Sequence, residues 1–210
     1  SLIIVPTDTP GYEVVRVIPT MGHTSGNHCE IRLNNVRVPA ANLLGKRGEG
    51  FIIAQKRLGP GRIYHCMRWL GSAQRAFDLM CQRALNRFAH GSFLAEKQMI
   101  QSFIADSAAE IQAARLLTLD AARKIDRGED ARVEISLIKF FGAQVLHNVI
   151  DRAIQVHGAL GVTGDTPLEK MYRSARYARI YDGPDEVHRV TVARRILKLY
   201  SQGSVWEPAG

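Results

Sequence analysis

The feature that most constrains the fold of this chain is a series of three long segments with helical periodicity, separated by short connections. They cover about residues 62–87, 94–126 and 131–156. Apolar residues recur along one stripe of each segment, as Ile135 and Val149 do in the third. Helices of this length that are joined by short loops pack antiparallel against one another. The sequence therefore predicts an antiparallel helical bundle.

Shorter helices are predicted on both sides of these segments. One begins at Phe51 and is expected to stop at residues 59–61, Gly-Pro-Gly, because proline lacks an N–H donor and glycine is a poor helix former. A second follows Pro167, and the last runs from Pro184 to about Tyr200. Proline at the first helical position and the acidic residues directly after it favour that last helix start.

The first fifty residues have a different character and predict β-structure. Three short segments rich in β-branched residues, at 3–5, 12–18 and 29–38, are bounded by proline and glycine. Two or three strands do not form a stable sheet alone, so we expect them to belong to a larger sheet. The start of the sequence, with no initiator Met and no signal-peptide pattern, is expected to be a cut inside a domain. The predicted division is a partial β domain at 1–47 and a helical domain at 48–210.

Composition narrows the possible functions without deciding among them. The net charge is +8, which suits nucleic acid or the phosphates of a cofactor or of coenzyme A as a partner. No apolar run approaches the roughly 18 residues of a membrane span. Cys29, Cys66 and Cys81 show no CxxC spacing, so we expect buried structural thiols, not a disulfide or a metal site.

The turn before the last helix is the segment best suited to chemistry. Asp182 lies in an Asp-Gly turn directly before a helix N-terminus, where backbone amides can hold a carboxylate against a ligand. A role in helix capping is the alternative. Asp185, Glu186 and His188 follow closely and, with Asp182, resemble a set of metal ligands. An acidic cluster that matches the helix dipole explains them better, so no metal is predicted.

Two further segments carry groups suited to phosphate. A glycine-rich stretch at 154–164 follows a helix C-terminus, where either a ligand comes close to the backbone or the helix simply stops. Arg87, at the end of a long helix, can reach a phosphate or interact with the helix dipole. The stripe of Arg173, Arg176 and Arg179 is typical of a solvated helix face.

Taken in order, these segments resemble the acyl-CoA dehydrogenase family over nearly the whole chain, to about Tyr200. The motifs that carry the resemblance are Met21-Gly22, Val36-Arg37-Val38-Pro39, Asn42-Leu43-Leu44-Gly45, Gly48-Glu49-Gly50-Phe51 and the turn Tyr181-Asp182-Gly183-Pro184. The resemblance implies a mainly α fold, in which a C-terminal antiparallel four-helix bundle follows the second half of a small β domain. It also implies FAD-dependent α,β-dehydrogenation of an acyl-CoA thioester with a fatty or branched acyl chain. The implied partners are an electron-transferring flavoprotein as electron acceptor and further copies of the chain, in a homodimer or homotetramer built through the helical bundle.

The resemblance also assigns roles to individual residues. Asp182 falls where many members place their catalytic base, which removes the α-proton while the β-hydride passes to the flavin. The backbone amide of residue 182 is expected to help polarise the thioester carbonyl. Arg62 and Gly183 match substrate-side positions. The positions expected to bind FAD across a subunit interface are Arg87, Gln98, Gln155, Val156, His157, Gly158 and Ala159, and those expected to contact the FAD of the same protomer are Pro184, Asp185 and Glu186.

The sequence departs from the family pattern at several of these positions. Asp182 stands where the family turn has Glu, which shortens the reach of the base by about 1.5 Å. Pro184 replaces a hydroxyl-bearing residue, Glu186 replaces a common Gln, and His90 replaces an aromatic residue. Some members take their base from the position that is Gly61 here, so Asp182 has no rival in this sequence. We interpret the turn as a variant active site.

Two other functions would fit the same fold. The basic stripe and a pI of 9.7 suit a nucleic-acid-binding relative, although nucleic acid is not the partner that we expect. The shortened base suits a non-catalytic relative. The chain by itself is expected to hold FAD poorly and to be inactive, because the resemblance places most flavin-ring contacts outside it. The expected location is the cytoplasm in a prokaryote and the mitochondrion or peroxisome in a eukaryote.

Overall fold

A computed structural model describes residues 1–22 and 28–207 of the chain. The chain forms two compact units, Ser1–Gly59 and Pro60–Gly210. The predicted domain border between residues 47 and 48 stays a prediction.

The first unit contains short antiparallel strand pairs. Its strands are β1 (Leu2–Ile3), β2 (Tyr12–Val17), β3 (Cys29–Leu33) and β4 (Leu43–Leu44). β1 pairs with β4 and β2 pairs with β3. The three predicted strands are present, but the third ends at Leu33 and not at residue 38. Asn35 has a φ of 51°, which is incompatible with an extended strand.

The first helix, α1 (Gly50–Asn86), is longer than predicted. It continues through Pro60, so the predicted stop at residues 59–61 is wrong. An internal proline costs a helix about 3 kcal/mol because it removes a backbone hydrogen bond and crowds the preceding turn. Tertiary packing outweighs this local preference, since Cys66 and Met80 on later turns are fully buried.

A small hairpin and the remaining helices follow α1. The hairpin pairs β5 (Phe88–Ala89) with β6 (Ser92–Phe93), and two-residue strands of this kind leave no periodic signal in the sequence. The helices are α2 (Gln98–Asp126), α3 (Arg132–His157), α4 (Leu168–Tyr177) and α5 (Asp185–Ser201). Short 3-10 segments occupy Ala40–Asn42, Leu94–Glu96 and Gly158–Val162.

The central helix of the bundle is α3. It packs against α2, α4 and α5, and Sγ of Cys66 in α1 donates a hydrogen bond to the carbonyl oxygen of Ile138 at 3.3 Å. Ile138 and Val149 on its apolar stripe are buried, as the periodicity predicted. This arrangement confirms the predicted mainly α fold with a helical bundle.

The apolar character of α3 extends into the segment that follows it. Among the described residues, Arg132–Val162 is long and apolar enough to cross a membrane by length and composition alone. In the bundle, 61% of its apolar window is buried. This burial is typical of a core helix, and α3 is the central helix of the bundle.

The three cysteines lie in different surroundings. All three are free thiols: Cys66 is buried, Cys81 is half-buried and Cys29 is exposed. Burial raises the pKa of Cys66 to about 12, so this thiol stays protonated and unreactive. The prediction of buried structural thiols is correct for Cys66 and wrong for Cys29, which lies on the short strand β3.

Candidate active site

The candidate site is built on the turn between α4 and α5. Asp182 and Gly183 both have positive φ angles, 54° and 101°. Aspartate tolerates the left-handed region and glycine adopts it freely, because glycine has no Cβ. A Cβ on Gly183 would lie 2.7 Å from Nε2 of His188. The Asp-Gly pair therefore determines the path of the turn, and no larger residue fits at position 183 without a shift.

Two side chains hold the carbonyl oxygen of Asp182. Nε of Arg62 in α1 donates to it at 3.0 Å, and Nε2 of His188 in α5 lies 3.2 Å from it. Burial lowers the pKa of His188 below its ordinary value, so the ring is neutral near pH 7 and can donate from Nε2. The structure thus brings together Arg62, Asp182 and Gly183, the residues that the resemblance assigned to the substrate side and the base.

A fully buried lysine, Lys139 of α3, holds two more carbonyl oxygens near this turn. Its Nζ donates to O of Ala178 at 2.8 Å and to O of Gly183 at 3.1 Å. Nζ also lies 5.3 Å and 5.5 Å from the ring centroids of Trp69 and Tyr181, within the range of cation–π attraction. Burial lowers the pKa of Lys139, and nearby carboxylates act in the opposite direction. Sequence reasoning missed this residue, although a lysine on an apolar helix stripe was a usable signal.

The carboxylate of Asp182 is mostly buried and lies against a histidine. Its side chain is 19% exposed, and Oδ2 is 2.9 Å from Nε2 of His65 in α1. The distance suits an ion pair or a hydrogen bond, but the alignment is poor, so Oδ2 has no hydrogen-bond donor among the described residues. The short distance is the more informative of these two observations, because hydrogen bonds in active sites often align only when substrate is bound.

Aromatic and basic side chains surround His65. Nη2 of Arg68 lies 2.5 Å from Nδ1 of His65, and the hydroxyl of Tyr181 lies 3.5 Å from the same nitrogen. Nε1 of Trp69 donates to the Tyr181 hydroxyl at 2.8 Å. Burial lowers the pKa of His65, while the Asp182 carboxylate acts in the opposite direction. Burial raises the pKa of Tyr181 to about 12, so its hydroxyl keeps its proton.

The backbone of the turn leaves the N–H groups of Asp182 and Gly183 without an acceptor among the described residues. In the described part of the chain, the backbone hydrogen bonds of this region use the N–H groups of Ile180, Tyr181 and Asp185, but not that of Asp182. An N–H group in this position is suited to polarise a carbonyl oxygen of a ligand that lies beside the carboxylate.

Pro184, Asp185 and Glu186 differ in how accessible they are to a ligand. Pro184 and Glu186 are exposed at the start of α5, whereas Asp185 is only 1% exposed. Oδ2 of Asp185 accepts a hydrogen bond from Nε of Arg179 at 2.7 Å, and its Oδ1 is buried without a donor among the described residues. The side chain of Asp185 therefore anchors the start of α5 by an internal ion pair. Its predicted contact with FAD stays a prediction.

The positions assigned to FAD across an interface lie at two places in the second unit. Arg87 and Gln98 flank the β5–β6 hairpin, which is closed by a hydrogen bond from N of Leu94 to O of Arg87 at 2.9 Å. Both side chains are exposed, and neither has a hydrogen-bond or ion-pair partner in the part of the chain that the structure describes. No hydrogen bond or ion pair between described residues joins them to Asp182.

The second place is the C-terminus of α3, residues 155–159. Gln155, Gly158 and Ala159 are exposed there. Val156 and His157 are buried, and Nδ1 of His157 lies 2.7 Å from the carbonyl oxygen of Ala153, so these two side chains belong to the core. Gly158 has a φ of 64°, and the space where its Cβ would lie is open. The predicted FAD contacts of this segment stay predictions, and those of Val156 and His157 would have to come from the backbone.

The sequence left two alternatives, a metal site and a nucleic-acid surface, that can be compared with the structure. Among the described residues, no group of three His, Cys, Asp or Glu side chains is placed to hold a metal ion. In the basic stripe, Nε of Arg173 binds Glu169 at 2.8 Å and Nε of Arg179 binds Asp185 at 2.7 Å. These pairs leave less positive charge for nucleic acid than the sequence alone suggests.

The fold and the site define a class of protein: a helical-bundle domain that presents a carboxylate on a turn beside an uncommitted N–H group. Residues 48–197 match the sequence model of a family described as acyl-CoA dehydrogenase, C-terminal domain. The chain is 54% identical over 197 residues to "Probable acyl-CoA dehydrogenase FadE2" of Mycobacterium tuberculosis, an alignment that covers 92% of this chain and 48% of that protein. It is 47% identical over 203 residues to acyl-CoA dehydrogenase family member 11 of Rattus norvegicus, covering 94% of this chain and 26% of the relative. A solved structure of an acyl-CoA dehydrogenase from Bacillus anthracis complexed with FAD is similar with a TM-score of 0.87 and 29% identity, over 96% of this chain and 38% of that one.

The chain belongs to the acyl-CoA dehydrogenase family. It spans about half the length of the mycobacterial relative and about a quarter of the rat relative. The resemblance predicted from the ordered motifs is confirmed at the level of the family.

Proposed function

We propose that this chain supplies the catalytic base of an FAD-dependent acyl-CoA dehydrogenase, in which Asp182 is that base. The observation that carries the proposal is the mostly buried carboxylate of Asp182, held on a turn that α1, α3 and α5 fix through its carbonyl oxygens. Membership of the family supports the reaction class, which is α,β-dehydrogenation of an acyl-CoA thioester.

The proposed role of Asp182 is to accept the α-proton of the acyl group. The C–H bond next to a thioester is a weak acid, so a carboxylate needs the thioester carbonyl to be polarised at the same time. The uncommitted backbone N–H of Asp182 is placed on the same residue as the base and can donate to that carbonyl oxygen. The chemistry that bound FAD supplies is acceptance of the hydride from the β-carbon.

The anchoring of the turn compensates for a short base. Aspartate reaches about 1.5 Å less far than glutamate, and a misplacement of about 1 Å can lower a rate about 100-fold. Arg62 and Lys139 bind the carbonyl oxygens of Asp182 and Gly183, so the position of the carboxylate depends on the backbone more than on the side chain. This makes Arg62 a positioning residue for the base in our proposal.

The residues proposed to hold FAD have the chemistry that its groups require. Arg87 carries a guanidinium suited to the pyrophosphate, and the amides of Gln98 and Gln155 can both donate and accept at the adenosine. All three side chains are exposed. The open space at Gly158 permits a ligand to approach the backbone closely. We propose that these groups act across a subunit interface in a homodimer or homotetramer, and that Pro184 and Glu186 contact the FAD of their own protomer.

The proposed substrate is a fatty or branched acyl-CoA, and the proposed electron acceptor is an electron-transferring flavoprotein. The test uses the intact enzyme that contains this chain, with short, long and branched acyl-CoA thioesters added anaerobically one at a time. We expect at least one of them to bleach the flavin absorbance. We expect Asp182→Asn to slow that bleaching by several orders of magnitude, because an amide accepts no proton.

The matched control is Asp165→Asn, the same chemical change at an exposed aspartate on the loop before α4. It should bleach at the wild-type rate. FAD content is measured for each variant. The proposal is wrong if Asp182→Asn binds FAD and reduces it as fast as the wild type, or if no thioester bleaches the flavin of an enzyme that is loaded with FAD.

A further inference from the structure

We propose that His65 is a positioning residue that orients the carboxylate of Asp182 through one fixed imidazole tautomer. The inference rests on the proposed role of Asp182 as the base. Neither the motifs nor the family resemblance gave His65 a role, and the two nitrogens of its ring face different partners.

Arg68 determines which ring nitrogen of His65 carries the proton. Nη2 of Arg68 is a donor without acceptor capacity, and it lies 2.5 Å from Nδ1 of His65. Nδ1 must therefore be the unprotonated nitrogen of the neutral ring, and the single N–H of the ring is at Nε2. That N–H faces Oδ2 of Asp182, 2.9 Å away. His65 thus presents a donor to the carboxylate.

The same contacts exclude His65 as the proton acceptor. A histidine base needs a nitrogen lone pair that faces the substrate, but Nδ1 is occupied by Arg68 and lies 3.5 Å from the Tyr181 hydroxyl. Nε2 carries the hydrogen and faces Asp182. The proton must then go to the carboxylate, where Nε2 of His65 faces Oδ2 and Oδ1 is left to accept the proton.

The arrangement works only while His65 is neutral. The charged groups that act on its ring are Arg68 on α1, Lys139 on α3 and Asp182 on the turn, where Tyr181 also packs against it at a centroid distance of 4.9 Å. An imidazolium would lose the acceptor that Arg68 needs and would pair with the carboxylate. A carboxylate that is paired with a cation is a weaker base. Proton abstraction should therefore slow when His65 becomes protonated.

The test compares four variants of the intact, FAD-loaded enzyme. His65→Gln places an amide donor near the position of Nε2 and cannot titrate. His65→Leu removes the donor. Arg68→Met frees Nδ1, so that the other tautomer becomes available. Tyr64→Phe is the matched control on the same helix, because this side chain is 71% exposed. The readouts are the rate of anaerobic flavin reduction from pH 5 to pH 8, the apparent Kd of the thioester, and the melting temperature.

We expect His65→Leu to slow flavin reduction about 10- to 100-fold with little change in the Kd of the thioester, which is the range for a hydrogen bond to a charged group. His65→Gln should recover most of that rate and should lack the decline that we expect for the wild type below pH 6.5. Arg68→Met should fall between the wild type and His65→Leu. Tyr64→Phe should match the wild type in every readout.

Two outcomes overturn the inference. One is a wild-type rate and a wild-type pH profile in His65→Leu. The other is an equal loss of rate in His65→Leu and His65→Gln together with a lowered melting temperature, which would make the role of His65 purely structural. Asp182→Asn separates the two proposals: if it reduces the flavin normally, the proposed function fails first, whereas if it is inactive and His65→Leu is normal, only the role of His65 is wrong.

Discussion

Replacing the buried Lys139 by methionine tests how the turn that carries Asp182 is held. Methionine has a similar length and no donor, so Lys139→Met leaves the carbonyl oxygens of Ala178 and Gly183 without the partners that lie at 2.8 Å and 3.1 Å. Each unsatisfied buried carbonyl costs about 1–3 kcal/mol. The variant also removes the desolvation cost of a buried ammonium, which is several kcal/mol and offsets part of that loss.

The two carbonyls together cost about 2–6 kcal/mol, and the offset reduces this to an expected net loss of about 1–3 kcal/mol in the free energy of unfolding. For a domain of this size, 1 kcal/mol shifts the melting temperature by roughly 2–4 °C. We therefore expect Lys139→Met to melt roughly 2–12 °C below the wild type. The effect of Lys139→Met on the rate of flavin reduction should be larger than its effect on stability, because a displacement of the turn by about 1 Å would slow proton abstraction about 100-fold.

The assay combines thermal unfolding with stopped-flow flavin reduction in the intact enzyme. Lys170→Met is the matched control, because Lys170 is exposed on α4 and has no hydrogen-bond or ion-pair partner among the described residues. It should leave both values unchanged. A Lys139→Met variant with the melting temperature and the reduction rate of the wild type would refute the argument that this lysine positions the turn.

Two further predictions follow from the same turn. Gly183→Ala should lower the melting temperature and slow flavin reduction at least 10-fold, because the alanine would have to adopt a φ of 101° and its Cβ would lie 2.7 Å from Nε2 of His188. A variant with wild-type values in both assays would contradict this. The free energy of unfolding should fall as the pH drops below about 6.5, because burial lowers the pKa of His65 and of His188 and the unfolded chain then binds more protons than the folded one. Thermal unfolding between pH 5 and pH 7.5 checks this. The slope of the free energy of unfolding against pH should be smaller in His65→Gln than in the wild type. An equal slope in this variant would show that His65 does not titrate differently in the folded state.

Much of the fold could be predicted from the sequence because apolar periodicity and helix-end residues are local signals. The boundaries of α2, α3 and α5 agree with the prediction to within a few residues. The stop at residues 59–61 was wrong because a local rule about proline was outweighed by packing farther along α1. The β5–β6 hairpin was missed because two residues per strand are too few to produce an alternating pattern.

The candidate site was only partly accessible to sequence reasoning. Asp182, Gly183 and Arg62 were found because the order of short motifs resembles a family, and the structure places them in contact. His65 and Lys139 were missed because they are 117 and 43 residues from Asp182 in the sequence (182 − 65 and 182 − 139), and only the packing of α1 and α3 against the turn brings them there. The burial of Asp185 against Arg179 was also invisible, since an acidic residue at a helix start is normally solvated.

The central claim is that the Asp182 carboxylate accepts the α-proton of an acyl thioester. Its most direct measurement is the exchange of that proton with D₂O in a thioester whose β-carbon is replaced by sulfur, because such a ligand can lose the α-proton but has no β-hydride to give. In the intact enzyme, we expect the bound ligand to take up deuterium at the α-carbon, and we expect Asp182→Asn to slow the uptake at least 1,000-fold while Asp165→Asn leaves it unchanged. Uptake at the wild-type rate in Asp182→Asn, with the ligand bound, would contradict the account.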